Sequence, residues 1–372
     1  MKILVLPRDP GPYQNLLYRE IERLGAEVTD LARLTPSHTI NLLLLPLELA
    51  ARRMAGGRIV HLHWVFAFAV PGGQRSRPLR RLAQWWFRLW LRAARVLGLR
   101  LVWTAHNVLP HSPVFGNETS ARQALVKASD LVIAHSAATL CELAALGAVP
   151  RRSAVIPHGP FPPAPLIARL PEPGAGGHPR QFLFFGKVQD YKGVEDLLAA
   201  FTAMPDRIPA HLTVAGECRD PELRSRLHTL ALEGGGRIAL RLEHVPDSEV
   251  TPLLTTADVV VLPFRRVTTS GSAMLALSHG RPLIVPKLAA LADLPDDALL
   301  RYDGTVTSLT SALTELAQAD ISALATMSAA ARSYATRTTW QEIAARTMAE
   351  MISLFDDSAP ARPQSHAAAV RE

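Results

Sequence analysis

Cysteine is nearly absent: Cys141 and Cys218 are the two in 372 residues. They form no CxxC pair and no disulfide framework, which predicts a reducing compartment. Long apolar runs are missing too. The longest, Ile40–Ala51, is interrupted by Pro46 and Glu48. It falls short of the ~20 residues that a spanning helix needs. The N-terminal MKILVLP is too short for a signal-peptide core and has no cleavage site, so it reads as a first β-strand. These features predict a cytoplasmic chain, soluble or peripheral on the inner face of the cytoplasmic membrane. His61 and His63 share one face of a strand, but no third ligand follows at a suitable spacing, so no metal site is expected. Nor does any segment repeat.

The chain does hold an apolar fraction of 48%, enough for two α/β domains and too much for one compact core. Charged residues make up 20%, which excludes global disorder. The formal charge of +7 suits a polyanionic partner such as nucleic acid, anionic lipid or a phosphorylated ligand. It is read equally well as a general preference for arginine.

Short apolar strands alternate with helix-like segments, the pattern of a parallel sheet covered on both faces. In the first half the strands are Lys2–Leu6, Ala26–Asp30, Arg58–Trp64, Leu101–Ala105, Leu131–Ala134 and Ala154–Pro157. A stretch rich in proline and glycine then interrupts the pattern, which restarts at Phe182–Phe185. The predicted organisation is a Rossmann-like domain over 1–160 and a linker over 161–180. A second Rossmann-like domain follows over 181–337, then an amphipathic helix over 338–355 and a disordered tail over 356–372. Ligands of such sheets sit at the carboxyl ends of the strands, so the residues just after each strand are the candidates.

Two clusters in the second half carry anion chemistry. FLFFGKVQDYKG places a glycine turn at Gly186 and two ammonium groups, Lys187 and Lys192, beside a helix start. That combination suits a diphosphate, although solvated lysines on an exposed turn would read alike. In PFRRVTTSGSAMLALSHGRP, a strand ends at Pro263 and a Thr-Thr-Ser-Gly-Ser loop opens onto a helix. The amides of Gly271, Ser272 and Ala273 would point at a ligand, with the hydroxyls of Thr269 and Ser270 beside them. An ordinary serine cap is the alternative.

The order FGK…YKG, VAGE (Val214–Glu217), HVPDSEV (His244–Val250), ADVVVLPF and a glycine loop before GRP resembles the donor domain of GT-B glycosyltransferases, notably glycosyltransferase family 4. The match covers about Phe182–Val285. The resemblance implies an α/β fold of the GT-B kind: two doubly wound Rossmann-like domains facing across a cleft, with the C-terminal helix crossing back to the first. It implies that Lys187 and Lys192 hold the donor diphosphate, with Gly186 and Glu217 beside them. His244 and Val245 would line the base pocket, and Gly271 and Ser272 would cradle the phosphates. Two glutamates usual in family 4 fall here on Leu275 and near Val267. The Thr-Ser-Gly-Ser loop is closer to bacterial exopolysaccharide transferases and β-mannosyltransferases, so retention and inversion both stay open. No cofactor is expected beyond the nucleotide-sugar co-substrate, with GDP-mannose favoured and a UDP-sugar as the alternative.

In the first half, Asp9 follows a strand and could take the acceptor proton in an inverting enzyme, or simply enter a helix. His106, in TAHN, matches the cleft histidine that contacts the donor sugar in many family members. Asp9 and His106 are the catalytic candidates. His111 and His158 are weaker candidates for that cleft histidine, and Tyr13, His63, Trp64 and Asn107 are the acceptor candidates. Between Arg75 and Arg100 lie eight arginines and three tryptophans with no acid. On a helix, Arg81, Arg88, Arg92 and Arg95 form one stripe, and Leu82, Trp86, Leu89 and Ala93 another. With Trp85 and Trp90, this fits an anionic membrane surface; solvated arginines on a core helix are the alternative. Nucleic acid is not expected, since no binding module accompanies the cluster. The predicted activity is metal-independent hexosyl transfer to a lipid-linked or polysaccharide acceptor, in exopolysaccharide or cell-surface glycan synthesis. A nucleotide-sugar epimerase and a non-catalytic nucleotide-sugar-binding protein are the alternatives.

Overall fold

A computed structural model describes residues 1–9, 11–110, 112–161 and 179–356. The linker expected over 161–180 and the tail expected over 356–372 fall almost wholly outside the described residues, as does His111. The chain forms two compact units, one of Met1–Pro157 together with the chain from Trp340, the other of His158–Thr339.

The first unit alternates β1 (Lys2–Leu6), α1 (Pro12–Arg23), β2 (Glu27–Asp30), α2 (His38–Met54), β3 (Gly57–Leu62), α3 (Arg77–Val96), β4 (Arg100–Ala105), α4 (Glu118–Ala128), β5 (Leu131–Ala134), α5 (Ala137–Ala145) and β6 (Ser153–Val155). The strands are parallel in the order β2-β1-β3-β4-β5-β6. Period-2 side chains explain the layers. Ile3 and Val5 pack on one face with Leu17 and Ile21 of α1. Leu4 and Leu6 pack on the other with Leu45 and Leu49 of α2 and Phe87 and Trp90 of α3. Each such side chain stabilises the unit by ~1.5–3 kcal/mol when fully buried. Ser37, Ser76, Asn117 and Ser136 start their helices by accepting a backbone amide on the side chain.

The second unit runs β7 (Arg180–Phe185), α6 (Val194–Thr202), β8 (Ala210–Ala215), α7 (Pro221–Glu233), β9 (Ile238–Arg241), α8 (Asp247–Thr256), β10 (Val259–Val261), α9 (Gly271–Ser278), β11 (Leu283–Pro286), β12 (Leu299–Tyr302), α10 (Val306–Gln318) and α11 (Ile321–Thr336). Its strand order is β12-β11-β10-β7-β8-β9, again all parallel. Phe182 and Phe184 face α6 and α10, while Leu183 turns to the side of α9. Strand β12 escapes the sequence pattern because it is an edge strand, short and carrying Arg301.

The last helix, α12 (Trp340–Ile352), belongs to the first unit. Trp340, Ile343, Met348 and Met351 pack beside Leu17 and Ile21 of α1. Arg152 ties it down by an ion pair to Glu350 at 2.9 Å, and Arg346 donates to the Val155 carbonyl at 2.8 Å. The expected return of the C-terminal helix is therefore observed. Among the described residues, no helix is long and apolar enough to cross a membrane.

Candidate active site

In each sheet the strand order reverses once, and the loops flanking that point form a natural ligand crevice. In the second unit the reversal lies between β7 and β10, so the two candidate anion loops flank it. Glycine lets them close up. A Cβ on Gly216, after β8, would strike the carbonyl oxygen of Gly186, and one on Gly193 would strike that of Pro263. A Cβ on Gly186 would lie 3.1 Å from Ser272 Oγ. Gly186 and Gly216 take φ of 138° and 146°, which side-chain-bearing residues rarely adopt. Arg265 locks the arrangement. Its guanidinium holds both Asp196 carboxylate oxygens at 2.8 and 2.9 Å and Asp190 at 2.9 Å, and its amide donates to the Tyr191 carbonyl.

The candidate donor residues take distinct positions around this point. The Lys192 ammonium lies 4.3 Å from the centroid of the Phe264 ring and 5.2 Å from that of Tyr191. Burial pushes its pKa down to about 8. Lys187 is exposed. Glu217 pairs with Arg219 at 2.8 Å, and that bond, with the charges of Lys187 and His244 nearby, holds its carboxyl below the usual range. His244 is exposed and Val245 buried. Ser270 caps α9, its hydroxyl accepting from the Ala273 amide at 3.0 Å. The first intrahelical bond runs from Met274 to Ser270, so the amides of Gly271 and Ser272 stand at the helix start, where the dipole favours an anion. The Thr269 hydroxyl is buried with no hydrogen-bond partner among the described residues. Leu275 and Val267 pack against the apolar cluster of this unit.

In the first unit the reversal lies between β1 and β3. Asp9, after β1, accepts the Gly11 amide on Oδ1 at 3.1 Å, while its own amide donates to Gln14 Oε1 at 2.8 Å. The carboxylate thus closes the entry to α1. The strand ends beyond it carry a row of rings. In register, Ala105 faces Ala134 and Ala134 faces Val155, so the next residues, His106, His135 and Ile156, stand side by side. His63 Nδ1 meets His106 Nε2 at 2.9 Å, and His106 Nδ1 meets His135 Nε2 at 3.2 Å. Both nitrogens of His106 are thereby engaged, and substrate contact at either would replace one of these bonds. Tyr13 presents its edge to His63, His106 and His135, and burial raises its pKa. Trp64 stacks on His106 at 4.4 Å. Asn107 is half-buried beside them. His61 and His63 direct nitrogens to the Tyr18 hydroxyl at 2.8 and 2.6 Å, and no metal-ligand group occurs among the described residues. His158, in the second unit, has its pKa lowered to about 4 by burial.

Helix α3 corrects one assignment. Trp90 is wholly buried with Ala83, Phe87, Leu91 and Ala94, so it packs the core and cannot face a lipid. Arg81, Arg88 and Arg92 are exposed, as are Leu82, Leu89 and Trp85. Trp86 is half-buried and donates from its indole to the Leu42 carbonyl of α2 at 3.0 Å. Of the stripe expected to face a membrane, Leu82 and Leu89 are exposed, while Trp86 and Ala93 are half-buried.

Residues 179–319 match the family model described as Glycosyl transferases group 1. This stretch is a glycosyltransferase group 1 domain. The chain is 32% identical over 118 residues to a GDP-mannose:glycolipid 4-beta-D-mannosyltransferase from Xanthomonas campestris, over 31% of this chain and 33% of the relative. It thus matches about a third of that relative's length. Sucrose-phosphate synthase from Thermosynechococcus elongatus superposes with a TM-score of 0.70 at 18% identity, covering 96% of this chain and 99% of that one. Anabaena HepE in complex with UDP-glucose gives 0.66 at 17%, covering 95% and 99%. The fold is accordingly GT-B. Within the group 1 domain lie both anion loops, from Gly186 to Ser272. Sequence reasoning passed over Arg265, whose role depends on two loops distant in the chain. In the other unit it passed over His135 and Tyr18, although LVIAHS repeats the strand-then-histidine pattern of LVWTAHN.

Proposed function

We propose that the protein transfers a hexosyl residue from a nucleotide-diphosphate sugar to a lipid-linked or polysaccharide acceptor, in exopolysaccharide or cell-surface glycan synthesis. The observation that carries this is the convergence at one switch point of the Gly186 turn, the start of α9 and Lys192. GDP-mannose is the favoured donor, on the activity of the Xanthomonas relative. A UDP-sugar is the alternative, on the ligand of HepE.

The leaving diphosphate gains charge as the glycosidic bond breaks. Lys192, Lys187 and the amides of Gly271 and Ser272 meet that charge from fixed positions, the arrangement that stabilises a transition state more than a ground state. Asp9, which follows β1 at the reversal point of the first sheet, takes the acceptor proton in this reading. Thermal shift against a panel of nucleotide sugars, followed by NMR of the product anomer, tests the donor and the stereochemistry. Binding of no donor, or turnover of a labelled donor to an isomer without acceptor, would replace transfer by the binding or epimerase reading.

A lipid-linked acceptor is supported by the outer faces of α2 and α3. Ile40, Leu43, Leu47 and Met54 of α2 are exposed, as are Leu82, Trp85, Leu89 and Val96 of α3. The only acid on either helix, Glu48, is buried beside Arg52. Apolar side chains among arginines with no exposed acid suit an anionic bilayer. Co-sedimentation with vesicles rich in phosphatidylglycerol, and none with phosphatidylcholine alone, is the expected result. Equal recovery in the supernatant from both would remove the membrane from this reading.

A further inference from the structure

The rings at the carboxyl edge of the first sheet form one continuous hydrogen-bond chain. Thr104 Oγ1 meets His61 Nε2 at 2.8 Å, and His61 Nδ1 meets the Tyr18 hydroxyl at 2.8 Å. That hydroxyl meets His63 Nε2 at 2.6 Å; His63 Nδ1 meets His106 Nε2 at 2.9 Å; His106 Nδ1 meets His135 Nε2 at 3.2 Å. His135 Nδ1 ends the chain at the Ile156 carbonyl, 2.9 Å away. Thr104, Tyr18, His61 and His63 are essentially inaccessible to water.

We propose that Thr104, Tyr18 and His61 are positioning residues, and that this chain locks His61, His63, His106 and His135 into one common neutral tautomer, with the proton on Nδ1, fixing the ring on which Trp64 lies.

The last link decides all the others. A carbonyl only accepts, so His135 Nδ1 carries the proton. A neutral ring then accepts at Nε2, which makes His106 Nδ1 a donor and His106 Nε2 an acceptor. His63 Nδ1 must donate to it and His63 Nε2 must accept. The Tyr18 hydroxyl therefore gives its proton to His63 and receives one from His61 Nδ1. His61 Nε2 accepts from Thr104. Reversing His106 or His135 alone sets donor against donor on one side and acceptor against acceptor on the other, reversing His61 or His63 alone sets acceptor against acceptor at one link, and buried polar groups do not tolerate such mismatches. The other self-consistent states all carry a second proton on one of the four rings, which reverses every link between that ring and Thr104. Burial opposes charge in this chain. It lowers the pKa of His61 to about 3 and that of His63 well below the usual value. No carboxylate among the described residues hydrogen-bonds to the chain's rings.

Order in the chain reaches the ligand side through stacking. The Trp64 ring lies on His106 at 4.4 Å with an interplanar angle of 18°, and on Phe66 at 5.9 Å with 26°. Phe66 is exposed. Such an aromatic shelf suits the C–H face of an acceptor pyranose, an assignment that rests on the transferase reading.

The test is a long-range 1H–15N spectrum of histidine-labelled protein at neutral pH, with the four rings assigned through couplings across their mutual hydrogen bonds. All four are expected as neutral Nδ1–H tautomers. In Tyr18→Phe, the His61 and His63 signals are expected to shift toward a mixture of tautomers. The acceptor KM should rise by about tenfold, the loss of roughly one buried hydrogen bond, with kcat and the donor KM within about twofold of wild type. An Nε2–H or charged ring among the four in the wild type overturns the proposal, and this result needs no variant to fold. So does a Tyr18→Phe protein with wild-type spectrum and acceptor KM. If the tautomers are as expected but no donor is ever consumed, the chain stands and the transferase reading falls.

Discussion

The two sheets end in opposite chemistry at the same topological place. Beyond the strands of the second unit stand glycines, cations and an opened helix start. Beyond those of the first stand neutral rings that satisfy one another. The same parallel architecture exposes backbone at its carboxyl edge in both. What differs is the side chains. Gly186, Gly193 and Gly216 bring backbone against backbone in the second unit, and backbone amides with lysines favour a phosphate-bearing ligand. In the first, imidazole and phenol groups fill that edge and leave an aromatic surface. One edge is built to meet charge, the other to meet a polar ring without charge.

The sharpest way to break this contrast is to fill a glycine in the second unit. Gly216→Ala puts a methyl into the Gly186 carbonyl and forces an alanine to φ near 146°. Strain of that kind costs on the order of 2–3 kcal/mol, to be read from urea unfolding, and nucleotide-diphosphate binding should be lost with it. A variant that keeps stability within about 0.5 kcal/mol and binds normally would mean that the loops are not pressed together as described.

Lys192 sets the next largest effect. Lys192→Ala should lower turnover at least about tenfold, as expected from a lost charge-assisted contact of ~1.5–3 kcal/mol. Its lowered pKa adds a pH signature. The free ammonium is lost as pH rises through about 8, so nucleotide-diphosphate affinity should fall between pH 7 and 9. Lys192→Arg, which stays charged, should flatten that fall. The stability term has the opposite sign. The unfolded lysine keeps its proton to higher pH than the folded one, so this residue's contribution to stability rises with pH between about 8 and 10.4. An affinity independent of pH in the wild type would remove Lys192 from the anion site.

The second unit's edge was the more legible in sequence, for a physical reason. Glycine turns, lysines and a Thr-Thr-Ser-Gly-Ser loop are local signals, each needing only its neighbours in the chain. The histidine row is not local. His63, His106 and His135 come from three strands, and Tyr18 from a helix, so only the register reveals that they touch. Helix α3 misled at Trp90, for another reason. Apolar residues surround it between the arginines, so two stripes fit a 3.6-residue period. The sheet takes Ala83, Phe87, Trp90 and Ala94, which leaves Leu82 and Leu89 of the expected membrane stripe exposed.

The smallest effect tests the contrast most directly, because it compares two threonines. Thr104, in the first unit, gives its hydroxyl to His61 at 2.8 Å. Thr269, in the second, has a buried hydroxyl without a partner among the described residues. An unsatisfied buried hydroxyl costs free energy until something bonds to it, about 1–3 kcal/mol at most. Thr269→Val keeps the shape and removes that group. The unliganded variant should therefore be as stable as wild type or more stable, by about 0.5–1 kcal/mol. The stabilisation that a nucleotide sugar gives should shrink by a similar amount, since the wild-type hydroxyl gains its bond only when the ligand arrives. Thr104→Val should do the reverse, destabilising the free protein and leaving the nucleotide-induced shift unchanged. Differential scanning of both variants, with and without donor, reads all four quantities. Two variants that behave alike would show that the edges of the two sheets do not differ in the way their side chains indicate.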